Sequence, residues 1–274
     1  MTAAWGRRTI DHVARALSEL LETLASVVDQ DDARRESSRA CAAEAVALAQ
    51  RLPWVHRTGT PKGDWRLIFE HRRLRAGPAG TPYEQTLGIE RAAYFFVGAC
   101  AYPTGIVALL WAPLQALAGA FAPYDTGGLM AHLVPVDPSA SWDPDARTKH
   151  LEAHLGHAAD VAAFVGPYIA AHFRSPVTYV RAPRQSEPDF EVHHGLVNQG
   201  GSAPWLSWTV EAQIHADVDV TPDGLLLQEI WLDDLDLVDE LPDDFKRMVR
   251  VPDGMPLEFG VARRIEESLV GASA

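Results

Sequence analysis

Apolar residues recur at intervals of three and four over residues 9–28, where Ile10, Val13, Leu17, Leu20, Leu21, Leu24, Val27 and Val28 define one stripe. That spacing predicts an amphipathic helix. The acidic stretch from Asp29 to Asp32 ends it. A second helix is predicted over 33–52, with Val46, Leu48 and Leu52 on one face. The two read as a helical hairpin that packs on whatever follows. Residues 1–52 are therefore expected to form an N-terminal helical hairpin, and residues 53–274 an α+β (mixed α/β) domain.

The period changes to two between Thr209 and His215. Thr209, Glu211, Gln213 and His215 alternate with Val210, Ala212 and Ile214, which predicts a strand with one polar and one apolar face. A turn at Pro222, Asp223 and Gly224 separates it from a second predicted strand, Leu225–Leu232. A carboxylate thus sits in the middle of the polar face. A glutamate held there suits the floor of a cleft; the plain alternative is an ordinary half-exposed strand.

Elsewhere the pattern is coarser. Pro53 opens the mixed region. Gly77–Pro82 and Phe121–Leu129 read as loops. In the second loop, Gly127 and Gly128 allow close backbone approach to a ligand. Tyr124 and Asp125 there either face a nucleotide or form a tight, Asp-capped bend. Residues 145–165 predict a helix broken at Gly166 and Pro167, and Val177–Arg181 a short strand. Residues 182–204 read as a long loop, an acidic run follows Leu232, and a final helix is expected near 257–270.

Three of these segments, taken in order, resemble the ADP-ribosyltransferase fold. The Thr209–Glu211 strand with its successor looks like the catalytic-glutamate strand of the DarT-like, diphtheria-toxin-like and PARP-like branches. Trp54, Val55, His56, Arg57 and Thr58 look like the first strand, whose histidine holds the NAD ribose, and Trp65–Leu74 fits the helix expected next. Ala93–Gly98, with Tyr94, and Gly105–Trp111 look like the next strand pair. The resemblance covers residues 53–235. It implies a split, bent sheet preceded here by the hairpin, and a catalytic set of Glu211, His56 and Tyr94. It also implies NAD as a substrate, met by His56, Arg57, Thr58, Tyr94 or its alternative Tyr102, and Tyr124. Arg57 or Arg66 would meet the pyrophosphate. No metal is expected on this reading.

Composition sets milder limits. The chain has 274 residues, 47% of them hydrophobic and 22% charged, as in an ordinary soluble globular protein. Its net charge of −13 opposes non-specific attachment to a phosphate backbone. Arg57, Lys62, Arg66, Arg72, Arg73 and Arg75 form a local basic cluster, read as a solvated helix face. Cys41 and Cys100 have no metal-ligand spacing and fit a reducing compartment. The N-terminus lacks the apolar core of a signal peptide. The apolar run from Ile106 to Phe121 is broken by Pro113 and Gly119, and falls short of the ~20 residues needed to span a bilayer. A cytoplasmic protein with no membrane partner is the simplest expectation.

A rival signal is the run His150, His154 and His157, spaced at i, i+4 and i+7 on the predicted helix. Leu151, Leu155, Ala158, Ala162 and Val165 define that helix's core stripe, and the histidines flank it. Glu152 and Asp160 point away, so neither serves as a base beside a metal held there. His193 and His194 are the residues left to complete such a site.

Three classes of function follow. The first is an NAD-dependent mono-ADP-ribosyltransferase, toxin-like or a defence effector, releasing nicotinamide and modifying an acceptor. A protein or small-molecule acceptor is favoured over nucleic acid on charge. The second is a metal-dependent hydrolase built on the histidine helix. The third is a non-catalytic binding or immunity-type protein in which Glu211 is only a strand residue. Oligomeric state is open.

Overall fold

The structure is a computed structural model that describes residues 51–58, 65–78, 90–98, 105–114, 119–122, 156–157, 176–181 and 209–270, with Ala47, Val161, Val165, Gly166 and Ile169 as single positions. The predicted hairpin lies outside the described residues, apart from Ala47, which is helical, and Arg51 and Leu52 at its end. The 182–204 loop also lies outside them.

Strands and helices both contribute, so the α+β class holds. The strands are β1 (Trp54–Thr58), β2 (Arg73–Leu74), β3 (Gly77–Pro78), β4 (Arg91–Val97), β5 (Val107–Trp111), β6 (Gly119–Ala122), β7 (Gly156–His157), β8 (Glu211–Ile214), β9 (Val218–Asp219), β10 (Leu227–Leu232) and β11 (Val249–Arg250). The helices are α1 (Arg66–Glu70), α2 (Pro176–Arg181), α3 (Asp243–Lys246) and α4 (Leu257–Val270), with a 3-10 turn at Leu235–Glu240. The main sheet runs β11-β10-β5-β1-β4-β8-β6-β7, with β3 beside β4, while β2 and β9 form a second small sheet. The β10–β11 pair is parallel and its neighbour β10–β5 antiparallel, so the main sheet is mixed.

β5 is buried at every position, and its run Val107, Ala108, Leu109, Leu110 and Trp111 is what a strand covered on both faces requires. β1 pairs with β5 along its whole length, from Trp54 opposite Trp111 to Thr58 opposite Val107. Its ladder with β4 is far shorter: Trp54 meets Val97, Val55 meets Phe96, and the pairing stops there. β4 then continues against β8, with Phe96 opposite Glu211 and Tyr94 opposite Gln213.

This register sorts the side chains. Val55, Leu110, Phe96 and Glu211 are cross-strand neighbours and share one face. Residues one position away, including Trp54, His56, Phe95 and Trp111, project from the other. α4 lies on the glutamate face. Its stripe of Leu257, Val261, Ala262, Ile265 and Leu269 is buried, and Gly260 lets it settle on Trp231. A Cβ at Gly260 would lie 2.9 Å from Trp231 Cζ3 and 2.7 Å from Pro252 Cβ. α2 packs beside α4. The same core extends between α1 and α3, where the rings of Phe69 and Phe245 lie 5.1 Å apart, edge to face.

Several sequence expectations are corrected. The strands on either side of the Pro222–Gly224 turn are not a hydrogen-bonded pair. The turn itself forms, with Gly224 at φ +75° and Leu225 N donating to Asp223 Oδ1 at 2.9 Å. But Val218 and Asp219 leave to pair with Leu74 and Arg73, and β10 re-enters beside β5. The predicted β4–β5 pair is likewise split by β1. The helix predicted to reach Leu74 stops at Glu70, because Arg72 turns to φ +50° and its carbonyl accepts from Val220 N at 2.9 Å. Residues 177–181 are helical, not extended. Pro176 suits a first helical position, and burial of Tyr179 and Val180 overrides the β-branched local preference.

Candidate functional site

Glu211 opens β8, between β4 and β6. Both faces of this strand are covered: Glu211 is 2% exposed and Gln213 1%. The expected half-exposed polar face is therefore buried. An ionised carboxylate taken out of water needs hydrogen bonds. Gln213 Nε2 supplies one, donating to Glu211 Oε1 at 2.8 Å. The i, i+2 spacing on one strand face is what allows it. Tyr94 stands opposite Gln213 on β4 and is half-buried. Tyr94, Gln213 and Glu211 thus form one polar group on the glutamate face, to which Gln213 was not assigned from sequence.

His56 joins this group through the backbone alone. Its Nδ1 lies 2.8 Å from the main-chain oxygen of Tyr94. A carbonyl only accepts, so Nδ1 carries the hydrogen and the neutral ring keeps Nε2 unprotonated. The bond spans the place where the β1–β4 ladder has ended. The imidazole itself lies on the opposite face, 5.8 Å from the Phe95 ring and 6.3 Å from the Trp111 ring. Burial pushes its pKa below the ordinary value, and the bond to Tyr94 offsets this only in part. The expected convergence of three side chains is therefore not what the structure contains. Tyr94 and Glu211 share a face, and strand alternation turns His56 away from both.

Arg57 is on the glutamate face but is committed elsewhere. Its Nε and Nη2 donate to Gly105 O at 3.1 and 2.9 Å, and its Nη1 pairs with Glu258 of α4 at 3.2 Å. Only 4% of its side chain is exposed. The bonds draw the guanidinium toward the β5 entry and α4. Arg66, half-exposed on α1, pairs with Glu240, and Arg72 with Asp244 at 2.6 Å. Two arginines of the basic cluster thus meet the acidic run that follows Leu232. Thr58 ends β1 and is half-buried. Tyr102 and Tyr124 lie outside the described residues.

His150 and His154 also lie outside them, as do His193 and His194. His157 does not continue a helix: Gly156 and His157 form β7, paired with Phe121 and Ala120 of β6. The i+7 position of the predicted three-histidine helix is therefore on the edge strand of the sheet, while Val161 is helical. Among the described residues no three His, Cys, Asp or Glu side chains group to hold a metal ion. Nor is any described helix long and apolar enough to cross a membrane.

A comparison with protein-family models finds no match to this chain, and a search of curated proteins finds none either.

Proposed function

We propose that the chain is an NAD-dependent mono-ADP-ribosyltransferase whose reacting carboxylate is Glu211. The observation that carries this reading is the buried Glu211, hydrogen-bonded by Gln213 and on the same sheet face as Tyr94. The brief β1–β4 ladder supports it too, since a split sheet would part there. Cleavage of the nicotinamide–ribose bond sends the bonding pair to nicotinamide and builds positive charge on the ribose. A preorganised carboxylate stabilises that charge. The acceptor, a protein side chain or a small molecule, bonds to the ribose carbon and gives its proton to Glu211 or to solvent. Tyr94 packs on the nicotinamide face. His56 acts through the Tyr94 main chain, as a positioning residue.

The test is nicotinamide release together with NAD affinity. Glu211→Gln should keep most NAD binding and lower turnover on the order of 10²–10³-fold. Parent-like turnover in that variant, or no NAD binding by the parent, overturns the transferase.

A second reading is favoured by His56 facing away from Glu211. In it the protein is a non-catalytic binding protein, and the Glu211–Gln213 bond serves only the fold. Glu211→Gln would then change stability alone.

A further inference from the structure

Between β5, β10 and α4 lies a cavity of about 390 Å³, within the usual range for small-molecule sites. It opens on the glutamate face at Leu110. That is three strand spacings from β8, or roughly 14 Å from Glu211. It is therefore separate from the Tyr94–Glu211 group and does not rest on the transferase reading.

Its lining is of two kinds. Leu110, Ile265 and Leu269 make an apolar side, and Arg51, Glu229 and Arg264 bring charge. The Glu229 carboxylate is matched already: Arg264 Nε donates to it at 2.8 Å and Trp231 Nε1 at 3.0 Å. Arg51 is exposed beside them and, among the described residues, makes no ion pair or hydrogen bond. One guanidinium charge is thus left over at a cavity with one apolar side, in a chain whose net charge is −13. A cation would meet Arg51 and find Glu229 occupied. A neutral hydrocarbon would leave Arg51 unused.

We infer that this cavity binds a small organic anion, a carboxylate carried on an apolar ring or short chain. The apolar body packs on Leu110, Ile265 and Leu269, and the carboxylate meets Arg51.

The probes are 2-naphthoate and its cationic counterpart 2-naphthylmethylammonium, titrated into the full chain at low salt by calorimetry. Naphthoate should bind saturably and the ammonium should not, and added salt should weaken naphthoate alone. Arg51→Gln should weaken naphthoate about fivefold, the scale of an exposed ion pair. Ser268→Trp, which fills the cavity from an exposed position on α4, should abolish binding. Circular dichroism of both variants checks that they are folded. Equal affinity for the two probes, unchanged naphthoate affinity in folded Arg51→Gln or Ser268→Trp, or no binding by the parent overturns the inference.

Discussion

The imidazole of His56 donates to the main-chain carbonyl of Tyr94 at 2.8 Å, just beyond the last β1–β4 pair, Val55 and Phe96. A side chain thus replaces a ladder bond where the two strands part. Because burial holds the His56 pKa below its ordinary value, the neutral ring is the folded form. Its contribution to stability is complete above the unfolded pKa of about 6.5 and is lost as pH falls toward and through the depressed folded value. Urea unfolding from pH 7.5 to 5.5 should therefore cost the parent more stability than His56→Gln. Parallel pH curves for the two would count against this.

Tyr179 on α2 is wedged into the end of the β4–β8 ladder. Its hydroxyl donates to Val97 O at 2.6 Å and accepts from Val210 N at 3.1 Å. Burial pushes its pKa well up, so the phenol stays protonated. Tyr179→Phe leaves two buried backbone groups without this partner and should cost about 1–3 kcal/mol in denaturant unfolding. The Val210 amide should exchange faster by NMR; an unchanged rate would disprove the wedge.

Arg57 and Glu258 tie β1 to the first turn of α4 at 3.2 Å, with 4% and 18% of their side chains exposed. Arg57 is the deeper charge. Glu258→Gln should destabilise by about 2 kcal/mol, because it weakens a charged hydrogen bond to a guanidinium that stays buried. Chemical denaturation measures the loss. No change would mean that Arg57 is satisfied without Glu258.

Gly260 allows α4 to touch Trp231. Alanine is the better helix former by about 1 kcal/mol, yet its Cβ would lie 2.7 Å from Pro252 and 2.9 Å from Trp231. Overpacking should outweigh propensity, giving a net loss of about 1–2 kcal/mol in Gly260→Ala. A raised melting temperature would show that α4 shifts freely on the sheet.

Local pattern determined a good deal of this protein. A final helix was legible near residues 257–270, alternation announced the strand around Glu211, and Pro222, Asp223 and Gly224 announced their turn. Alternation around Glu211 also put it on the same strand face as Gln213. These features depend on neighbours within a few residues, where side-chain period and turn chemistry act directly.

Tertiary structure decided the rest. Which strands pair is a matter of long-range register, so β1 could insert between β4 and β5, and β10 could leave β8 for β5, with no local signal. Burial of Tyr179 made a helix of a β-branched segment. The same register turned His56 to the face opposite Glu211, since a strand's side chains alternate and one step along β1 exchanges the faces. The sequence supplied the residue types of the candidate site. Only the pairing of β1, β4 and β8 determined which of them meet.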